Sequence, residues 1–143
     1  MSAQILKYGG NGLIETDIKR LKRWLSLADD IKNHFTIVSN ILYESGKWPP
    51  PYNAFGGLIT EVRCNQGTLL CFKDRVAITN PEMTPEEGAR VIYALLKEEG
   101  IYVPMLVFGA SEEGAVYNIN KKKFYLTKSS FARIINEKIR IYL

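Results

Sequence analysis

The densest cluster of functional side chains in this sequence is a basic group beside an aromatic ring. Lys19, Arg20, Lys22 and Arg23 are followed directly by Trp24. Ammonium and guanidinium groups bind phosphates, and an indole ring can stack on a base, so this group is typical of a nucleic-acid contact. The same residues also suit the solvated side of an amphipathic helix that packs Trp24 inward. Both interpretations stay open at this point.

A second basic group lies where a hairpin turn is predicted. Lys121, Lys122 and Lys123 stand at the tip of this hairpin and are followed by Phe124 and Tyr125. A lysine-rich tip could enter a groove of a nucleic acid, or it could keep an exposed turn soluble. We therefore count the three lysines as candidate nucleic-acid-binding residues.

A proline run forms the third candidate group. Trp48 and Tyr52 flank the prolines at positions 49–51, of which Pro50 is the central one. Proline-rich segments adopt the polyproline II conformation, which docks in aromatic grooves of partner proteins. Such a run can also connect two elements and pack on its own domain. We expect partner-binding residues at Trp48, Pro50 and Tyr52.

The residues needed for common types of catalysis are few. His34 is the sole histidine, so a nucleophile-histidine catalytic set has little support. Cys64, Cys71 and His34 do not make a zinc site, because their spacing does not match that of metal ligands. The glycine-rich stretch 9–12 lacks the lysine and spacing of a phosphate-binding loop. We predict no catalytic residue, no metal site and no cofactor.

The composition predicts one globular domain spanning residues 1–143. Hydrophobic residues make up 46% of the chain and charged residues 24%, values that permit a normal core. The net charge is +4, which favours an acidic partner such as DNA or RNA without requiring one. The abundance of isoleucine, lysine and tyrosine resembles that of proteins from hyperthermophilic archaea and their viruses.

The sequence predicts a cytoplasmic location. Its longest apolar runs are about ten residues, whereas a membrane-spanning helix needs roughly twenty. The first residues do not resemble a secretory signal peptide. Cys64 and Cys71 are too few for the disulfide framework of a small secreted domain, so we expect two free thiols.

The first half of the chain reads as a long helix followed by strands. Apolar residues recur every three or four positions and predict one helix over 17–45, with a break near Asp29 and Asn33 as the alternative. A β-hairpin region follows over 57–79. Its predicted strands are 58–64, 68–72 and 75–79, the last two of which could form one long bent strand.

The second half, 84–143, is predicted as an α-β-β-β-α-β unit. Thr84 and Glu87 match a capping box, which predicts a helix that begins there and ends at Gly100. Pro104 places the next strand, 101–108, at a sheet edge or at a bulge. The remaining elements are strands at 115–119 and 123–126, a short helix through 131–135 and a final strand at 139–143.

Several short segments between residues 91 and 143 match a known family. They are Ile92-Tyr93 with Leu95-Leu96, the stretches 99–103 and 106–110, Val116-Tyr117, and a tail from Ala132-Arg133 to Glu137-Lys138. In these segments, and in the α-β-β-β-α-β order, the chain resembles the C-terminal domain of archaeal tRNA-splicing endonucleases. The resemblance covers little more than a third of the chain.

The resemblance implies specific roles for two residues. In that family a tyrosine, a histidine and a lysine cleave RNA without a metal ion. Tyr117 and Lys138 match the positions of the tyrosine and the lysine, but no histidine lies between them. The resemblance therefore implies a relative that does not catalyse the reaction.

The predicted fold class is α+β, with a long N-terminal helix and two shorter helices packed on a mainly antiparallel sheet of five or six strands. The leading functional hypothesis is a non-enzymatic protein associated with DNA or RNA. One alternative is a protein-interaction module, a subunit, or an inhibitor or regulator of a larger transcription or RNA-processing machine. A second is a degenerate, metal-independent subunit like an RNA endonuclease. The sequence leaves open a protein partner or a homo-oligomer, and it gives no sign of a membrane.

Overall fold

The structure, a computed structural model, describes residues 7–45, 57–64, 67–96 and 100–142. Three α-helices lie in this part of the chain: α1 (Glu15–Arg20), α2 (Leu27–Ser45) and α3 (Lys128–Tyr142). The strands of the same part are β1 (Lys7–Tyr8), β2 (Gly57–Cys64), β3 (Gly67–Val76), β4 (Ala89–Leu96), β5 (Ile101–Gly109), β6 (Val116–Ile119) and β7 (Lys122–Tyr125).

The main sheet has the strand order β1-β5-β4-β3-β2. Strands β2 to β5 are consecutive antiparallel neighbours, and the two-residue β1 runs parallel to β5. Strands β6 and β7 form a separate antiparallel hairpin. The predicted α+β class and the mainly antiparallel sheet are confirmed. Within the described residues the main sheet has five strands, but the strands predicted at 115–119 and 123–126 do not belong to it and form the separate hairpin instead.

Helices cover both faces of the main sheet. One core contains the α2 residues Ile31 and Phe35, and the other contains Phe131 and Ile134 of α3. Strand β4 lies between the two cores, and its residues Ala89 to Leu95 are all buried. A strand buried on both faces reads as a continuous apolar run rather than as an alternating one.

This burial explains why the helix predicted from Thr84 to Gly100 is wrong. The capping box does form, since the amide of Glu87 donates to Thr84 Oγ1 at 3.3 Å and the amide of Thr84 donates to Glu87 Oε1 at 3.3 Å. The helical conformation lasts one turn, however, and β4 begins at Ala89. The β-branched and aromatic residues that follow gain more from a central strand than the cap contributes to a helix.

The long helix predicted over 17–45 is also wrong, because α1 ends at Arg20 and α2 begins at Leu27. The break comes earlier than the predicted alternative near Asp29. Contacts with residues distant in sequence fix the start of α2: the amide of Asn80 donates to Ser26 Oγ at 2.8 Å, and the amide of Thr79 donates to Asp30 Oδ2 at 2.9 Å. Helical periodicity alone could not reveal these contacts.

The final strand predicted at 139–143 is replaced by helix. Helix α3 runs on to Tyr142, and Leu143 lies outside the described residues. Ile134, Ile135 and Lys138 are all buried at helical spacing, so α3 packs one continuous face against the sheet. From Thr84 onward, the described elements therefore follow the order β4-β5-β6-β7-α3 instead of the predicted α-β-β-β-α-β.

The bounds of the other predicted strands are close to those of the observed strands. Strand β3 is continuous, as the predicted alternative of one long strand requires, but it ends at Val76. The register of β4 and β5 shifts between Ile92 and Tyr93, so β5 carries the bulge expected next to Pro104. Cys71 of β3 is buried and is not part of a disulfide bond within the described ranges.

Candidate functional site

A buried carboxylate connects three elements at one edge of the main sheet. Asp17 of α1 is fully buried. Its Oδ1 accepts a hydrogen bond from the Tyr117 hydroxyl of β6 at 2.6 Å, and its Oδ2 accepts one from Lys138 Nζ of α3 at 2.7 Å. We call Asp17, Tyr117 and Lys138 the Asp17 cluster.

The Asp17 cluster also covers the edge of β5. The amide of Val107 donates to Asp17 Oδ2 at 3.1 Å, and the Val107 carbonyl accepts from Arg20 Nη2 at 2.8 Å. Strand β1 pairs with β5 only at Ile101 and Tyr102. Two side chains of α1 therefore satisfy the backbone groups that a longer neighbouring strand would otherwise pair, which protects this edge.

Lys138 is held entirely inside the protein. Burial lowers the pKa of its ammonium group, whereas the adjacent Asp17 carboxylate raises it. The ammonium group also donates to the Leu13 carbonyl at 2.9 Å, and it lies 5.7 Å from the centroid of the Tyr117 ring. The structure thus brings together the two residues that match the endonuclease positions, but the side chains of both are hydrogen-bonded to Asp17.

The sequence did not reveal Asp17 as the centre of this cluster. The sequence placed Asp17 only at the start of the helix predicted over 17–45, whereas it lies within α1 and bonds to residues about a hundred positions away. A single aspartate carries no local signal for such partners. Only the resemblance indicated Tyr117 and Lys138, and it indicated them as matches to catalytic positions rather than as partners of Asp17.

The first basic group divides into inward and outward side chains. Arg20 pairs with Glu112 and lies 3.8 Å from Asp17. The Trp24 ring is buried and packs on Gly109, where an added Cβ would lie 3.0 Å from the ring. The three other side chains of the group, Lys19, Lys22 and Arg23, are exposed.

The second basic group occupies the tip of the β6-β7 hairpin. Asn120 and Lys121 have positive φ angles of 51° and 63° and form its two-residue turn. Lys121, Lys122 and Lys123 are all exposed, and Lys122 Nζ lies 2.7 Å from Glu137 Oε1 of α3. The tip is thereby connected to the last helix.

Charge is distributed unevenly along the chain. Residues 115–143 contain seven lysines and arginines but only one acidic residue, whereas the preceding residues contain twelve basic and fourteen acidic ones. The positive excess of the protein therefore lies in the hairpin and α3. Six of these cations are exposed and define what we call the basic surface: Lys121, Lys122, Lys123, Lys128, Arg133 and Arg140.

The single acidic residue of this segment is neutralised by the basic surface itself. Glu137 Oε1 accepts a hydrogen bond from Arg140 Nη2 at 2.6 Å and lies close to Lys122. The hydrogen bond from Lys122 and the charge of Arg140 hold the pKa of Glu137 below its usual range. The carboxylate therefore orients two cations instead of repelling an anionic partner.

The outer face of the hairpin adds aromatic and polar groups to the basic surface. Val116 pairs with Tyr125 and Asn118 pairs with Lys123, so these four side chains share one face. Tyr125 is 51% exposed. An exposed ring beside a lysine is the combination on which unpaired bases stack.

Another cation, Lys73 of β3, lines a pocket of about 450 Å³ on the α3 side of the sheet. Its ammonium group lies 3.3 Å from Glu113 Oε1, and Arg90 Nε reaches the same oxygen at 3.1 Å. Burial raises the pKa of Glu113, but the two cations lower it more, so the net shift is downward. A paired carboxylate at this pocket makes it a poorer anion site than the basic surface.

The remaining candidates give no further site. Trp48, Pro50 and Tyr52 lie outside the described residues. His34 Nε2 lies 2.5 Å from Asp74 Oδ2, and no group of three or more potential metal ligands occurs in the described ranges. None of the helices in those ranges is long and apolar enough to cross a membrane.

Comparisons with protein-family models, with curated proteins and with solved structures found no match for this chain. The resemblance to tRNA-splicing endonucleases therefore stays a prediction. The α-β-β-β-α-β order no longer supports the resemblance, because strand β4 lies where the first helix of that order was predicted. Apart from residues 97–99, which lie outside the description, the segment 89–125 consists of strands and turns with one short 3-10 turn at Ala110–Glu112.

Proposed function

We propose that this protein binds nucleic acid in a non-enzymatic role, through the basic surface formed by the β6-β7 hairpin and α3. The observation that carries the proposal is the concentration of positive charge in residues 115–143, where Glu137 is the only acidic residue. Phosphate binding requires cations that are accessible and that are not already neutralised by carboxylates.

In the described ranges, four of the six cations of the basic surface form no ion pair with a carboxylate, whereas Lys122 and Arg140 share Glu137. Lys121 and Lys123 are exposed and form no hydrogen bond or ion pair with the part of the chain that the structure describes. On α3, the exposed residues Ser129, Arg133, Asn136 and Arg140 follow one another at helical spacing and form a polar stripe. Arg133 lies 5.9 Å from the Phe124 ring of β7, so the stripe adjoins the hairpin.

The exposed residues Lys19, Lys22 and Arg23 are a second, smaller candidate contact for the same ligand. Arg20 and Trp24 are less available to a nucleic acid, because the Arg20 guanidinium group donates to the Val107 carbonyl and the Trp24 ring is buried. We propose that this group supplements the basic surface rather than replacing it.

A protein partner is the second candidate function, either for a subunit or for a regulator of a larger machine. Leu25 is 77% exposed in the turn before α2, and Ile37 is 62% exposed on that helix. Exposed apolar side chains favour protein contacts when they form a patch. The endonuclease hypothesis has less support, because the Tyr117 hydroxyl and the Lys138 ammonium group both bond to Asp17.

Binding to labelled single-stranded and duplex DNA and RNA, measured by gel shift at two salt concentrations, tests the proposal. We expect binding that weakens as salt rises, with a log-log slope of about −0.7 to −0.9 for each phosphate contacted. No measurable binding to any of these probes at low salt would contradict the proposal and favour a protein partner.

A further inference from the structure

A pocket of about 310 Å³ adjoins the tip of the hairpin. Its volume is at the lower end of the range for small-molecule sites, which is roughly 300–1,000 Å³, so it suits a single ring system. Its lining includes Tyr117 and Lys138 of the Asp17 cluster, together with Leu13, Thr16, Asn118, Ile119, Asn120 and Ile141.

Two of the polar groups that line this pocket are available to a ligand. The Thr16 hydroxyl forms no hydrogen bond with any residue in the described ranges. The Asn118 side chain lies on the outer face of the hairpin, but Asn118 and Lys123 are a non-hydrogen-bonded pair of the ladder, so the backbone N–H and C=O of Asn118 point away from β7. A hydroxyl and a backbone peptide group together present donors and acceptors, which is the pattern that the edge of a nucleobase requires. Leu13, Ile119 and Ile141 offer apolar contacts for the faces of the ring.

The position of the pocket relates it to the basic surface. Asn120 lines the pocket and immediately precedes Lys121 in the turn, and Asn118 is the cross-strand neighbour of Lys123. A strand whose phosphates contact these lysines would therefore carry its bases past the pocket. Tyr125, on the same outer face as Lys123, could stack on the next base.

We infer that this pocket receives one unstacked base of a single-stranded nucleic acid. The inference rests on the proposed function and specifies its ligand. A base within a duplex is stacked and paired, so its edge cannot enter a side pocket without being extruded. Sequence-tolerant phosphate contacts would supply the affinity, and Thr16 and Asn118 would select the exposed base.

The test compares two variants by fluorescence anisotropy, using a short labelled single strand and a duplex of the same length. Thr16→Val removes the hydroxyl from the pocket and leaves the size of the side chain nearly unchanged. Thr68→Val is the matched control, because Thr68 is an exposed threonine of β3 that lies outside the basic surface and does not line the pocket. The salt dependence of binding is measured for each protein.

We expect the wild type to bind the single strand at least about tenfold more tightly than the duplex. Thr16→Val should weaken single-strand binding about tenfold with the salt slope unchanged, because a lost contact to a base edge leaves the phosphate contacts intact. Thr68→Val should bind like the wild type. Equal affinity for single strand and duplex, or equal losses in the two variants, would overturn the base pocket while leaving the proposed function in place. Absence of salt-sensitive binding to either probe would overturn both.

Discussion

The Asp17 cluster and the basic surface contain the same kinds of residues but place them differently. In the first, Lys138 and Tyr117 bond to Asp17, and the side chains of Lys138 and Asp17 are 2% and 0% exposed. In the second, Lys122 pairs with Glu137 while its side chain remains 49% exposed. Residue types alone therefore do not separate a structural cluster from a binding surface; burial and the number of internal partners do.

The energetic consequences of the two arrangements differ as well. Removing one member of a buried ion pair leaves an uncompensated charge in the interior and costs about 3–5 kcal/mol. Exposed ion pairs contribute about 0–1 kcal/mol, since water competes for both partners. Substitutions in the Asp17 cluster should therefore affect folding, whereas those on the basic surface should affect binding.

The largest expected effect follows from Asp17→Ala. It removes the acceptor for Val107, Tyr117 and Lys138 together, and we expect the free energy of unfolding to fall by about 3–5 kcal/mol. Chemical denaturation measures the change. Glu15→Ala, an exposed substitution on the same helix, is the control and should change stability by less than about 0.5 kcal/mol. Similar midpoints for the two variants would show that the cluster contributes little to the fold.

Arg20→Gln should have an intermediate effect. The change removes the charged hydrogen bond to the Val107 carbonyl and the ion pair with Glu112, and it should cost about 1.5 kcal/mol. Lys19→Gln, its exposed neighbour in α1, provides the comparison in the same denaturation experiment. If both variants match the wild type, α1 does not protect the edge of β5 through Arg20.

Thr84→Ala should have a smaller effect. The capping box supports a single turn here rather than a helix, so we expect a loss of about 0.5–1 kcal/mol, at the low end for such caps. Glu86→Ala, in the same turn and exposed, should be close to neutral. A loss of stability well above 2 kcal/mol would contradict this prediction and show that the capping box stabilises more of the fold than the one turn before β4.

The elements predicted correctly are those that local chemistry determines. Strands 58–64 and 101–108 were predicted within one residue of β2 and β5, because β-branched residues and turn signals define them. A hairpin turn between the strands predicted at 115–119 and 123–126 also forms, and the structure places it at Asn120 and Lys121. Strand β4 was missed because a strong local cap at Thr84 competed with burial on both faces, which only the tertiary structure imposes.

The candidate site was predicted only in part for a similar reason. Three adjacent lysines at 121–123 are visible in the sequence as one cluster. Arg133 and Arg140 were not grouped with them, since a final strand at 139–143 would have separated Arg140 from the helix. The continuation of α3 places both arginines on one helical stripe beside the hairpin, which could be recognised only after the strand was corrected to helix.

The most direct test of the account compares Lys121→Gln/Lys123→Gln with Lys32→Gln/Arg63→Gln. Each variant removes two exposed charges, the first pair from the basic surface and the second from α2 and β2. Stability should change by less than about 0.5 kcal/mol for each substitution. In gel-shift titrations over a range of salt, the first variant should flatten the log-log slope of nucleic-acid binding by about one to two units, and the second should leave it unchanged. Equal changes in the two variants, or no change in either, would contradict the claim that the hairpin and α3 form the binding surface.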